Sequence, residues 1–292
     1  MRLSNIIHEL NLINECKCIN EQDFDYMARI TSKIDGTKCV FLSEEKYIGA
    51  LDASVKMLIT TEEIFEKIDD KQYGICICKN PKVIYNKILN HIAKKENVML
   101  PTRVGKNCVI SPLAYIAPTG VVIGDNVIID DHVSVYEGTS VENDVVIHAG
   151  ARVGIQDYNY YVEQNSVEHL THIGKTIIKN NVEIGYNSVI GRALYGYNAT
   201  IIGEYTKIGN CVLIGHDSKI GKMSKIYSSS TIGGNVRIGD YSNVYMGVTM
   251  KNAIVIGNNC EVEMGSVVIR DVEDGQKVFG NPARRMISPG DK

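Results

Sequence analysis

Between Ile178 and Val268 an apolar residue recurs every six positions: Ile178, Ile184, Ile190, Ile202, Ile208, Ile214, Ile220, Ile226, Ile232, Ile238, Val244, Met250, Ile256, Val262 and Val268. The one unfilled slot is Gly196. Glycine follows the apolar residue at many of these steps, as at 185, 203, 209, 215, 221, 233, 239 and 257. A small residue often stands four places after it, as at Ser188, Thr200, Thr206, Ser218, Ser224, Ser230 and Ser242. A six-residue period matches neither the 3.6 of an α-helix nor the 2 of a simple strand. It is the mark of a β-helix built from hexapeptides, one short strand and one turn per repeat. No single coil can bury its inward residues, but stacked coils make ladders of isoleucine. Each buried isoleucine stabilises by roughly 1.5–3 kcal/mol. The glycine after the ladder residue is expected to supply turn geometry closed to residues with a Cβ.

Upstream the same pattern begins near Val104 and Ile110 and slips by one residue between Ile116 and Ile123. It then runs through Ile123, Ile129, Val135, Val141, Ile147 and Val153. From about 155 to 173 it is interrupted by an excursion holding Asp157, Tyr158, Tyr160, Tyr161, His169 and His172. A loop of that length inside a strict array points to a function. Residues 1–98 lack the period. Strands are expected at 39–42, 55–59 and 73–78. A helix should start near 61, capped by Thr60 or Thr61, and another should run from Pro81 to about Lys95 with Val83, Ile84, Ile88 and Ile92 on one face. The expected organisation is thus a small α/β domain over 1–98, a passage at 96–101, and a β-helix domain over 99–292.

The 292 residues carry a net charge of -3 and no long basic run, which argues against nucleic acid as a partner. No stretch of eighteen apolar residues and no charged-then-apolar leader occurs, so no membrane span is expected and a cytoplasmic protein is. The cysteine pairs Cys16/Cys18 and Cys76/Cys78 are spaced C-x-C rather than C-x-x-C. They read as small core hydrophobes, as does Cys260 in its inward slot. His132, His148 and His216 lie too far apart in the array to suggest a metal cluster, and no metal is expected. With no Trp and four Phe, aliphatic side chains must fill the core.

Several segments resemble one family, the hexapeptide-repeat nucleotide-sugar N-acyltransferases. Ile214-Gly215-His216-Asp217-Ser218 is similar to their catalytic hexad. The resemblance implies a left-handed parallel β-helix of three hexads per coil, assembled as a homotrimer. It implies His216 as general base, Asp217 as its orienting acid, and the Gly234 N–H, one coil on, as a donor to the thioester carbonyl. Gly280-Asn281-Pro282-Ala283-Arg284 resembles the closing turn of coenzyme-A-dependent members. There it implies a site for the adenine end of coenzyme A, with Arg284 or Arg285 near the phosphates. Phe41 and Tyr47 resemble an F-x5-Y pair that sandwiches uracil in the UDP-3-O-acylglucosamine N-acyltransferases, implying a UDP-linked substrate. Asp157, Tyr158 and Tyr160 resemble the acceptor loop of the same enzymes, although Tyr-Asn-Tyr replaces a Gly-Phe-Gly-rich run.

The resulting expectation is transfer of an acetyl or short acyl group from acyl-CoA (acetyl-CoA) to the amino group of a UDP-linked sugar, in cell-surface polysaccharide biosynthesis. Two alternatives stand beside it. One is a UDP-3-O-acylglucosamine N-acyltransferase of lipid A synthesis that uses acyl carrier protein. The other is a β-helix scaffold without catalysis.

Overall fold

The computed structural model describes residues 1–68, 72–95 and 100–286. The passage at 96–99 and the tail at 287–292 lie outside the described residues. The chain divides into two compact units, 1–98 with 158–171, and 99–157 with 172–292. Much of the excursion therefore counts with the first unit rather than with the array it interrupts.

The first unit is a five-stranded sheet with helices. Its elements are α1 (Leu3–Glu9), β1 (Cys16–Ile19), β2 (Tyr26–Met27), β3 (Lys38–Leu42), β4 (Val55–Thr60), α2 (Glu62–Phe65), β5 (Gly74–Cys78) and α3 (Pro81–Lys95). The strand order is β1-β5-β4-β3-β2, with only β1 antiparallel to its neighbour. Thr61 caps α2 by accepting from Ile64 N. The buried face of α3 carries Ile84, Ile88 and Ile92, joined by Tyr85 and Leu89. Val83, expected on that face, is only half-buried because it stands at the rim of a cavity. The C-x-C pairs meet across β1 and β5, Cys16 opposite Cys78 and Cys18 opposite Cys76. All eight cysteines are reduced; Cys76, Cys78 and Cys260 are buried as expected, whereas Cys16 and Cys18 are only half-buried because β1 is an edge strand of the sheet.

The second unit is a parallel β-helix of three sheets. Ladder residues stack one coil apart: Ile214 on Ile232 on Met250, and Ile220 on Ile238 on Ile256. Each such step is eighteen residues, or three hexads. The ladder residues are almost fully buried and form one continuous core from Ala117 to Val278. The serines of the small slot are buried too, and their hydroxyls donate to the next coil, Ser218 to Gly233 O at 3.0 Å and Ser242 to Gly257 O at 2.8 Å. They satisfy carbonyls that would otherwise be orphaned at the corners.

The glycine after the ladder residue has a different reason from the one expected. The positive φ values fall two places later, at Cys211, Asp217, Met223, Ser229, Asn235 and Tyr241. Gly215 and Gly221 are needed because a Cβ there would meet backbone of the next coil, at 2.6 Å from Gly234 N and 2.5 Å from Asp240 N. Coil-to-coil approach, not turn strain, selects glycine.

The array departs from eighteen residues in identifiable places. The first coil pairs Ile110 with Ile129 and Ile116 with Val135, a step of nineteen that accommodates the slip near Gly120. The excursion lengthens the step from Val153 to Ile190. Ile178 then pairs with Ile202 and Ile184 with Ile208, a step of twenty-four. The hexad around Gly196 is no strand. Between the strands Val189–Gly191 and Ala199–Ile202 the chain leaves the sheets as a loop over 192–198.

Candidate active site

All these irregularities fall on one edge of the β-helix, the corner that leads into the sheet containing Thr139–Val141, Lys175–Ile178, Ala199–Ile202, Lys219–Ile220 and Arg237–Ile238. His216 and Asp217 occupy that corner in their coil. Asp217 takes the positive-φ position at φ 60, so the strained corner itself turns its carboxylate back toward the preceding ring. His216 Nδ1 lies 2.7 Å from Asp217 Oδ2. A carboxylate only accepts, so Nδ1 carries the proton of this bond and Nε2 is left as the basic nitrogen. Asp217 is 2% exposed. It is held by Asn198 Nδ2, which donates to Oδ1 at 2.6 Å, and more distantly by Leu194 N at 3.5 Å. Both come from the 192–198 loop, which thus exists to seat the acid behind the histidine.

Asp157 stands at the start of the excursion, and its Oδ2 accepts the His216 backbone N–H at 2.6 Å. His172, at the end of the excursion, is fully buried and donates from Nδ1 to Arg192 O at 2.8 Å. Its ring meets that of His216 edge-on at 5.4 Å. Burial pushes its pKa down to about 4, against the raising effect of the Arg192 carbonyl, so this imidazole is neutral near pH 7.

Gly234 lies beside Nε2. A Cβ there would come 2.5 Å from His216 Nε2. Its N–H, expected to face a thioester carbonyl, instead donates to Asn252 Oδ1 at 3.2 Å. The side-chain amide one coil further on satisfies that donor, in the same way that Asn258 satisfies Asp240 N.

The other expected residues stand on other elements. Phe41, at the end of β3, packs on Tyr85 at 5.0 Å. Tyr47 stands exposed in the 3-10 turn Glu45–Ala50 with the Lys46 ammonium over its ring. The two rings have separate neighbours. Tyr158 and Tyr160 belong to the first unit, where Tyr160 packs between Tyr158 and His169. Gly280, at φ 106, joins the antiparallel strands Lys277–Gly280 and Ala283–Arg285, with Asn281 and Pro282 at the turn and Arg284 exposed. Gly280 N is tied to Ser266 Oγ at 3.2 Å, so this hairpin closes the array. Among the described residues no group of three or more His, Cys, Asp and Glu is arranged to hold a metal ion. No described helix is long and apolar enough to cross a membrane.

Residues that the motif reading missed are His172, Asn198, Arg192 and Asn252. The sequence signal for Asn198 and Arg192 was the empty slot at Gly196.

No protein-family model matches the chain. Over 75 residues it is 44% identical to the UDP-3-O-acylglucosamine N-acyltransferase of Rhizobium rhizogenes, 26% of this chain and 21% of that protein. Over 83 residues it is 40% identical to the UDP-3-O-acylglucosamine N-acyltransferase of Helicobacter pylori, 28% of this chain and 24% of that protein. The chain spans about a fifth to a quarter of the length of these curated relatives. Its fold is similar to that of a UDP-N-acetylglucosamine acyltransferase from Campylobacter jejuni, with a TM-score of 0.57 and 21% identity over 63% of this chain and 69% of that one. The Arabidopsis UDP-N-acetylglucosamine acyltransferase is similar at a TM-score of 0.54 and 21% identity, over 65% of this chain and 73% of that one. At such identities the likeness is one of fold.

The class is therefore a left-handed parallel β-helix of hexapeptide repeats preceded by a small α/β domain. Within that class, the resemblance to nucleotide-sugar N-acyltransferases read from the sequence is borne out.

Proposed function

We propose that this protein transfers an acyl group from a thioester to the amino group of a nucleotide-linked sugar, with His216 as general base. The observation that carries the reading is the buried Asp217 carboxylate on His216 Nδ1, with Nε2 facing the space that Gly234 leaves. The sugar nitrogen attacks the thioester carbonyl and Nε2 takes the nitrogen's proton. The C–S bond then breaks, and the imidazolium returns that proton to the departing sulfur. A positioned base of this kind contributes roughly 10²–10⁴-fold. Asp217 holds the tautomer and offsets the charge that the ring acquires, while neutral His172 packs against it without adding a second positive charge. Gly234 gives Nε2 room. We assign the acceptor to a UDP-linked amino sugar, on the Phe41–Tyr47 segment and on relatives named for such a sugar. We assign the donor to acyl-CoA, on the Gly280–Arg284 turn. A second reading, with acyl carrier protein as donor and a lipid A precursor as acceptor, is favoured by the same relatives' names for the acceptor and separates from the first in the donor.

The test is thiol release from acetyl-CoA and from acyl carrier protein charged with a long acyl chain, with UDP- and dTDP-linked amino sugars and His216→Ala in parallel. Release from acetyl-CoA with a UDP sugar, lost in the variant, is the expected result. Release only from the carrier protein moves the donor to the second reading. Release only with dTDP sugars overturns the uracil assignment. Turnover that survives His216→Ala removes the base. No release with any pair leaves the scaffold.

A further inference from the structure

The edge that carries His216 holds a second feature nearer the N-terminus of the β-helix. A cavity of about 330 Å³ opens there between coils, walled by Leu100, Pro101, Val121, Val122, Ile173 and the glycines 120, 138 and 174. It forms where three irregularities stack, namely the slip at Gly120, the end of the excursion at Gly174, and the start of the 192–198 loop. Three cations line it, Arg103, Lys175 and Arg192, and no wall residue is acidic.

Arg192 is the unusual member. It is 6% exposed. Its Nε donates to Gly174 O at 2.6 Å, and its terminal nitrogens lie over Gly138, where a Cβ would strike one of them at 2.7 Å. Among the described residues none of the three cations has a carboxylate within ion-pair distance. A buried guanidinium is costly, and burial depresses its pKa against the raising effect of the Glu137 carboxylate, which makes no ion pair with it. Its planar fork matches the two oxygens of a carboxylate or phosphate. The rest of the wall is apolar and calls for a hydrocarbon body behind that head.

We propose that this cavity binds a small amphipathic oxyanion, a carboxylate or phosphate monoester whose head pairs with Arg192 and whose short apolar body lies against Val121, Val122 and Ile173. The site stands on the cavity and its charge, whether or not the protein transfers acyl groups.

Isothermal titration calorimetry on the full chain with octanoate, octyl phosphate and 1-octanol tests it. At least one anion should saturate a single site with a Kd about tenfold or more below that of the alcohol, and the tighter anion names the head group. Arg192→Met should erase the preference for the anion. Val122→Trp should abolish binding, because Val122 points outward, is half exposed, and can be enlarged into the cavity without touching the inward ladder. Should Arg192→Met fail to fold, Val122→Trp decides alone. Octanol binding as tightly as both anions, no saturable binding of either anion, or unchanged binding in Val122→Trp would each overturn the proposal.

Discussion

The coils from Ala199 to Val268 and those from Arg152 to Asn198 follow the same rule to opposite ends. In the first stretch eighteen residues make a coil, and the inward slots are filled by aliphatic ladders and by small residues, many of them hydroxyls bonded to a carbonyl of the next coil. In the second the steps lengthen, and the extra residues leave the sheets on one edge. Those residues include Asp157, His172 and Asn198, whose side chains hold or flank the His216–Asp217 pair. Stacking buys stability only while coils match, so an insertion is tolerated where its own contacts replace the lost ladder. Here those contacts are polar and converge on one histidine. The regular coils act as the rigid frame, and the irregular ones deliver the chemistry.

The sharpest way to break the comparison is in the frame. Ile232 is fully buried in the ladder, while Thr231 beside it points to solvent. Ile232→Asp should destabilise by at least about 4 kcal/mol, since it buries a carboxylate with no partner. Thr231→Asp should stay within about 0.5 kcal/mol of the parent. Thermal melts followed by circular dichroism measure both, and equal effects would mean that burial does not govern this array.

Gly234→Ala is the corresponding change at the site. Its Cβ meets only the His216 ring within the tightest range, and a ring can move. The protein should fold, but a displaced base should lower acyl-transfer turnover about 10²-fold. In a His216→Ala background the same change should cost nothing further. An equal loss in both backgrounds would show that Gly234 acts through something other than Nε2.

The smallest effect concerns pH. The His172 pKa is about 4 when folded against an ordinary value of 6.5. The unfolded chain therefore binds more protons between those values, and stability rises with pH across that window. It is complete above about pH 6.5 and has fallen by about 2 kcal/mol when pH reaches about 5. His172→Gln keeps an N–H for the Arg192 carbonyl and should flatten that part of the profile in urea titrations at pH 7 and 4.5. An unchanged slope would place the acid sensitivity elsewhere.

The repeating unit, the coil core, the start of α3 at Pro81 and the His216–Asp217 hexad were all legible in the sequence. Each depends on local spacing or on a period that any coil repeats. The glycine slots were legible in position but not in cause, because the atoms that exclude a Cβ at Gly215 belong to the next coil, at Gly234. The separate surroundings of Phe41 and Tyr47 were hidden for a similar reason, since Phe41 meets Tyr85 from a helix more than forty residues away.

What the sequence by itself determined is the ladder, since a six-residue period of isoleucine buries its apolar area in one way only, by stacking. What the tertiary structure decided is which side chains the breaks in that period bring together. His172 and Asn198 reach the His216 corner only because inserted residues must leave the sheets on the edge where the coils cease to match. The Asn252 side chain takes the Gly234 N–H because the next coil lies within hydrogen-bonding reach. These contacts join residues eighteen to fifty-nine positions apart, and no local pattern in the chain encodes them.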